Sequence, residues 1–294
     1  MKIIDTPHNT ANKAAALAAN GVGTVIRYYN FSNSRNFPDK CLTLAEAQAL
    51  AAAGLQIGTV FQQLQNKVDD FSKAKGVAAG TRAYRYAHDN ISQPSESGIY
   101  FSVDFDASET DLSSGIIPFF EGVKAAFEKE SKASAKYRIG AYGSGLTCSS
   151  LSKQGLIDLT WLAMSRGFRG TRDALNKGEF HLLQKPGEGT LVGLDVDFNE
   201  TNPQQSDFGA FTIEAGQPPQ PALVDRGSSQ QFRVIARSGL RLRSGPGIEF
   251  DIIGNLAVDQ TVFVSSIRNG WARVDIQGDG RVDGFASESF LERV

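Results

Sequence analysis

The sequence has few of the residues that build disulfide scaffolds and metal centres. Its 294 residues include two cysteines, Cys41 and Cys148, and three histidines, His8, His88 and His181. Two cysteines cannot make a disulfide framework or a Cys-rich zinc site, and the scattered histidines show no metal-ligand spacing. Neither a metal nor an organic cofactor is expected. No apolar run approaches the roughly 20 residues of a membrane-crossing helix, so membrane insertion is not expected. The opening MKIIDTPHNT lacks the apolar core of a secretory signal. A charge excess is missing too. Against 32 Asp and Glu stand 30 Lys and Arg, a formal net charge of −2 that removes the electrostatic case for a nucleic-acid partner. What is present is a globular composition, 41% hydrophobic and 21% charged. The length exceeds one typical domain and points to one large domain or a domain with an added module.

Over residues 1–213 short apolar runs alternate with helical patterns. KIID (2–5), TVIRYY (24–29), LQIGTVFQ (55–62), GIYFSVDFD (98–106) and YRIGAYG (137–143) read as buried strands, rich in β-branched and aromatic residues. Between them, an Ala-rich helix opens at Thr10 and stops at Gly21. A capping box at Thr43–Glu46 starts a second helix that Gly54 ends. A third covers 72–88 and is weakened by Gly76 and Gly80. A fourth buries Ile116, Phe120, Val123 and Phe127, and a shorter one covers about 145–155. LTWLAM (159–164), EFHLLQ (179–184) and LVGLDVDF (191–198) follow as strands with little room for helices between them. This alternation implies an α/β fold, a parallel sheet covered by helices, and eight strands suggest closure into a barrel. A doubly wound open sheet is the alternative, but no Gly-rich phosphate loop follows the first strand.

Composition changes after residue 213. IEAGQPPQPALVDRGSSQQ (213–231) reads as a linker, placing boundaries at 1–213, 214–231 and 232–294. Beyond it come short strand-like runs separated by turns, the pattern of a small all-β module, with no lysine after Lys185.

Chemistry-bearing residues gather at strand ends. In Ser102-Val103-Asp104-Phe105-Asp106 alternate residues share a face, which sends Ser102, Asp104 and Asp106 into the barrel or its C-terminal mouth. Two partly desolvated carboxylates repel, so one holds its proton to higher pH, supplying the donor and anion of a hydrolytic site. The alternative is a loop-fixing Asp pair. Asp5 ends the first strand, and Asp195 and Asp197 share a face of the last, followed by Asn199. In a closed barrel these strands are neighbours, and barrel enzymes place their chemistry at the C-terminal face. Arg27, Tyr28, Gln62, Tyr142, Trp161 and Gln184 stand at equivalent ends and suit a sugar-binding groove. Trp161 and Tyr142 more often belong to a core, and Arg27 has the alternative of pairing with a barrel Asp.

Taken in order, IIDT, TVIRYY, AGLQIGTVFQ, GIYFSVDFD, IGAYGSG, TWLAMS and LLQ…VDFN resemble the glycoside-hydrolase-like domain related to family 25 lysozymes. The resemblance implies an irregular TIM-like barrel of five βα units and three further strands. In the related lysozymes an Asp on strand one, an Asp-x-Glu pair and a late Asp line the site, and these match Asp5, Asp104, Asp106 and Asp197. Asp106 stands where those lysozymes carry Glu, and its shorter side chain sets the carboxyl back. The run Gly239–Gly247 (GLRLRSGPG), with NGWARV (269–274) and GFA (284–286), resembles a bacterial SH3-type domain, a cell-wall-binding attachment. Trp271 belongs there either to a peptide groove or to the core. Asp275–Asp283 has the look of a calcium loop but has Ala286 where an EF-hand carries Glu, so it reads as a polar hairpin turn.

The leading expectation is a muramidase-type glycosidase acting on bacterial peptidoglycan. Asp106 would be its general acid and Asp104 would stabilise the developing charge or orient an acetamido group, with Asp5 and Asp197 positioning water. A non-catalytic wall-binding protein and a hydrolase of another glycan are the alternatives. With no signal segment read at the start, action at the wall or periplasm fits a phage lysin, an exported toxin or a protein whose signal has been removed, with an immunity protein or a secretion machine as a candidate partner.

Overall fold

The computed structural model describes residues 1–34, 36–131, 135–214, 229–248, 250–278 and 280–294. Eight strands close a barrel in sequence order: β1 (Lys2–Asp5), β2 (Val22–Tyr28), β3 (Gln56–Phe61), β4 (Gly98–Ser102), β5 (Arg138–Gly143), β6 (Leu159–Leu162), β7 (Leu182–Leu191) and β8 (Leu194–Thr201). Strands β1 to β7 run parallel, while β8 is antiparallel to both neighbours, β7 and β1. Helices α1 (Ala14–Ala19), α2 (Leu44–Ala52), α3 (Lys73–Arg85), the single turn α4 (Glu109–Asp111) with α5 (Ile117–Glu130), and α6 (Gly145–Lys153) follow the first five strands. These are the five expected βα units. A further short helix, α7 (Thr171–Lys177), fits between β6 and β7, where little room was expected.

Residue alternation accounts for the two apolar layers. Val25, Phe61, Phe101 and Val103 pack outward against the helices, while Ile26, Tyr28, Tyr100, Tyr142 and Trp161 fill the barrel. The chain beyond β8 returns beneath the barrel, where Ile57 bridges to Phe211 and Phe208 joins the interior cluster, its carbonyl accepting from Tyr100 Oη at 2.9 Å. One end of the barrel is thereby plugged. The C-terminal mouth is left for function.

Three local expectations change. Thr43 does cap α2 by accepting from Glu46 N at 3.2 Å, but the Glu46 carboxylate does not return the bond as a capping box would. It turns inward to Arg27 at 2.8 Å, both side chains being fully buried. LVGLDVDF is not one strand. Val192 (φ 47°) and Gly193 (φ 77°) form a two-residue turn of positive φ, and β7 and β8 become a hairpin. Its outer half extends past the barrel wall, since β6 pairs only with Leu182 and Leu183 and β1 only with Asp197 to Asn199. Nor do Gly76 and Gly80 simply weaken α3. A Cβ at Gly76 would collide with the Phe119 carbonyl, one at Gly122 with that of Lys73, and one at Gly80 would stand 3.0 Å from Ala126 Cβ. The glycines let α3 and α5 pack backbone to backbone.

The second sheet has the order β11-β10-β14-β13-β12-β9-β15, built from β9 (Gln230–Val234), β10 (Leu240–Arg243), β11 (Ile252–Leu256), β12 (Thr261–Arg268), β13 (Trp271–Asp275), β14 (Gly284–Ser287) and β15 (Leu291–Arg293). Of the linker expected over 214–231, residues 215–228 lie outside the described residues, as does Asp279 of the Asp275–Asp283 turn. In that turn Asp275 accepts from Gln277, Gly278 and Gly280 N, and Asp283 from Ile276 N, so both carboxylates serve the loop backbone. This module sits on the barrel. Arg281 Nη1 lies 2.9 Å from Asp89 Oδ2, Ser32 Oγ donates to the Asn255 carbonyl at 3.0 Å, and Gly254 faces the Phe31 ring.

The α3–α5 contact yields the first prediction. Gly76→Ala gains about 1 kcal/mol of helix propensity but forces a backbone collision costing up to roughly 3 kcal/mol, so a net loss of about 2 kcal/mol is expected in urea unfolding. An unchanged or raised midpoint would contradict the packing described.

Candidate active site

At the mouth the barrel opens into a cavity of about 140 Å³ whose lining includes Asp5, Asp104 and Asp197. Strand register brings two of them together, for Asp5 and Asp197 are direct partners across the antiparallel β1–β8 pair. Side chains opposed in this way have Cβ atoms about 5 Å apart, and like charges there are unfavourable. Gln184 lies between them, its Nε2 donating to Asp5 Oδ2 at 3.2 Å and to Asp197 Oδ2 at 3.1 Å. Asn199 Nδ2 adds a bond to Asp5 Oδ2 at 2.8 Å. These amides are oriented from behind: Tyr142 Oη donates to Gln184 Oε1 at 2.7 Å, and Trp161 Nε1 to Asn199 Oδ1 at 2.8 Å. Asp197 Oδ1 and Ser102 Oγ are buried and have no hydrogen-bond partner among the described residues.

Burial, and secondarily the charges of Asp197 and Asp104, push the Asp5 pKa up to about 7, against the opposing bonds from Asn199 and Gln184. Asp197 is also raised, by burial and by the charges of Glu188 and Asp104. Glu188 is its partner on the hairpin. Asp104 stands just beyond β4 at the exposed lip. Enclosure by the cavity wall raises its pKa, while Gln62 Nε2, donating to Oδ2 at 3.0 Å, and the charge of Lys40 hold it down. Burial and neighbouring negative charge thus bias the facing carboxyls of Asp5 and Asp197 toward the protonated form, while the Gln62 bond and the Lys40 charge favour the ionised form of Asp104.

The other expected residues divide. Tyr28, Gln62, Tyr142, Trp161 and Gln184 all line the cavity. Tyr28, Tyr142 and Trp161 are at the same time core, at most 9% exposed, with the last two rings 4.8 Å apart and edge to face. Arg27 is not in the groove. One residue before Tyr28, it points to the opposite face of β2, where Glu46, the Thr6 carbonyl (2.6 Å) and the Asp39 carbonyl (2.6 Å) occupy its guanidinium. Glu46 also accepts from Thr10 N and Oγ1, each at 2.7 Å. The pair therefore clamps the loops after β1 and β2 instead of binding sugar, and the partner is a helix Glu rather than a barrel Asp.

Asp106 also lies outside the cavity lining. It falls beyond β4, where strand alternation no longer applies, and its carboxylate accepts from Arg169 N at 2.7 Å and Arg169 Nη1 at 2.8 Å. Asp195 is exposed on the hairpin, where its carbonyl accepts from Thr6 Oγ1 at 2.7 Å. Trp271 starts β13 of the second sheet, opposite Ser287, away from the cavity. Lys40 was not anticipated, because a lysine in an unpatterned loop gives no signal. Its Nζ lies 4.3 Å from the Tyr28 ring centroid and 3.2 Å from the Gln62 carbonyl, and burial lowers its pKa to about 8. Among the described residues no group of three or more His, Cys, Asp or Glu side chains is arranged to hold a metal ion, and none of the helices is long and apolar enough to cross a membrane.

A closed βα barrel with carboxylates at its C-terminal mouth and an aromatic floor defines a glycoside-hydrolase-like protein with an appended all-β module. The chain belongs to the Rv2525c-like family of glycoside hydrolase-like domains, whose model matches residues 15–193, and carries a bacterial SH3 domain matched over 238–292. It is similar to YbfG of Bacillus subtilis (strain 168), 37% identical over 166 residues, which are 55% of this chain and 22% of that protein. FadG of the same organism is 29% identical over 162 residues, 55% of this chain and 27% of FadG. The chain thus spans about a quarter of the length of these relatives. Among solved structures, the Mycobacterium tuberculosis Tat-secreted protein Rv2525c, in complex with L-tartrate, superposes with a TM-score of 0.58 at 23% identity, over 71% of this chain and 98% of that one. Its complex with HEPES gives 0.57 at 21%, with the same coverage. These structures share the fold.

The raised Asp5 pKa carries a stability consequence. Because folded Asp5 holds its proton to about 7 and an unfolded Asp loses it near 3.8, stability falls as pH rises between those values. The penalty above neutrality has an upper bound of about 4 kcal/mol. Asp5→Asn keeps the bonds from Asn199 and Gln184 without the charge. It is expected to raise the melting temperature at pH 8, by roughly 1–3 kcal/mol of stability, with the gain vanishing below about pH 4. Equal gains at both pH values would disprove the electrostatic account.

Proposed function

We propose that the protein is a glycosidase of the glycan strands of bacterial peptidoglycan, held to the cell wall by its SH3 domain. The observation that carries this reading is three carboxylates, one of them holding its proton to about pH 7, in one aromatic-floored cavity. The Asp5–Asp197 pair supplies the proton, through the Asp197 carboxyl that lines the cavity. As the glycosidic C–O bond breaks, that proton goes to the leaving oxygen. Ionised Asp104, held by Gln62 and facing the Lys40 charge, stabilises the positive charge developing at the anomeric carbon. Water then adds to that carbon and returns a proton to the pair. Asp106 has a structural part: it ties Arg169, and with it the loop before α7, to the segment after β4. The site of action is the cell wall, reached by export or by release on lysis.

Purified peptidoglycan incubated with the full chain is expected to yield new reducing ends, identified by mass spectrometry. Asp104→Asn and Asp197→Asn should each lower the rate by about 10²–10⁴-fold, whereas Asp106→Asn should lower it by less than about tenfold. Activity should decline as pH rises past about 7, where the pair loses its proton. Absence of new reducing ends under all conditions would overturn the reading in favour of wall binding without turnover. What supports that second reading is that Asp106, which stands at the position of the lysozyme Glu, is engaged by Arg169 outside the cavity lining.

A further inference from the structure

A second and larger cavity, a cleft of about 510 Å³, lies between the barrel and the SH3 domain. Its floor is apolar, formed by Phe31, Phe61 and Phe119 of the barrel and Ile252 and Ile253 of β11. The three phenylalanines are at most 2% exposed, which leaves no ring face free to stack on a sugar, so the apolar surface open to the cleft is that of Leu64, 58% exposed, and half-buried Ile252. Charges of both signs ring this floor. Asp70 accepts from Asn66 N at 3.1 Å, and Lys75 donates to the Asp69 carbonyl. Lys67 and Arg241 are exposed and, among the described residues, have no carboxylate partner. The Asp69 side chain is exposed beside them. Amide donors complete the wall, because Gln63 and Gln65 spend their side-chain oxygens on backbone N–H groups of Phe31 (2.9 Å) and Gln63 (2.8 Å) and keep their NH₂ groups.

The wall between the two cavities is one stretch of chain. Gln62 lines the acid cavity and holds Asp104, while Gln63 and Gln65 line the cleft. Asp104 N donates to the Gln65 carbonyl at 2.8 Å, and Asn30 clamps Gln62 through two bonds of 2.6 and 2.9 Å.

We propose that this cleft is a peptide-binding site, taking a short peptide branch with small apolar side chains, a carboxylate and a free amine. It rests on the reading above in one respect, that the polymer whose glycan enters the acid cavity carries such branches. Methyl-sized side chains meet Leu64 and Ile252, Gln63 and Gln65 meet peptide carbonyls, Lys67 and Arg241 meet the carboxylate, and Asp69 meets the amine. A neutral glycan offers neither charge. Occupancy of the cleft presses on the Gln62–Gln65 segment and so steadies the amide that holds Asp104.

The test is calorimetric titration of the full chain with two probes, an amino-blocked Ala-Glu-Lys-Ala tetrapeptide and a neutral N-acetylglucosamine oligomer. Expected is saturable binding of the peptide, weakened about fivefold or more by Lys67→Glu on the barrel side and, independently, by Arg241→Glu on the SH3 side. Oligomer binding should be unchanged in both variants, and melting temperatures identify any variant that has lost its fold. The proposal is overturned if the peptide shows no binding at millimolar concentration, if both charge reversals leave it intact, or if only Trp271→Ala removes it, which would place the peptide on the SH3 domain's own face. If the peptide binds the cleft while peptidoglycan yields no reducing ends, the glycosidase reading alone fails.

Discussion

Insertion of β8 antiparallel between β7 and β1 is the constraint from which the site follows. A parallel last strand would have needed a crossover connection. An antiparallel one needs only the Val192-Gly193 turn, and it closes the barrel while setting Asp197 directly across from Asp5. That register opposes two carboxylates, and the amides of Gln184 and Asn199 with the ring donors Tyr142 and Trp161 are arranged around the conflict. The same hairpin projects Glu188 toward Asp197 and raises its proton affinity further.

A second, electrostatically costly device frames the mouth. Burying the Arg27–Glu46 pair removes two charges from water, a penalty that the ion pair repays only with good geometry and further bonds. Those bonds exist, and every one goes to the loops after β1 and β2. The pair thus acts as a register pin, setting the loop that carries Lys40 over Tyr28. Below, Phe208 plugs the barrel, and the glycine contact between α3 and α5 brings the covering helices close. With the lower end of the barrel plugged, the clustered carboxylates stand at the opposite end.

The SH3 domain belongs to this architecture more closely than an appended module would. Its β11 rests on Phe31, immediately after the Asn30 that clamps Gln62, and its Arg281 reaches the Asp89 carboxylate. The Gln62–Gln65 stretch consequently forms a wall of both the acid cavity and the interdomain cleft.

Much of this could be read in advance because it is local. The strands from KIID to YRIGAYG, the Thr43 and Gly54 limits of α2, and the turn-punctuated C-terminal module each depend on neighbours in the chain. Alternation likewise placed Ser102 inward and Phe101 outward, since a pleated strand leaves no other choice. Asp106 escaped that logic because β4 ends before it, and Arg169, a distant residue in sequence, captured it. Arg27 and Glu46 carried a binding signal and a capping signal that a buried partner overrode in both cases. Periodicity and turn chemistry, which act over a few residues, were enough to specify a barrel and a small β module. Which acids meet, which one keeps a proton, and that Lys40 stands beside them depend on strand register and loop closure across nearly 200 residues, and only the folded chain settles those.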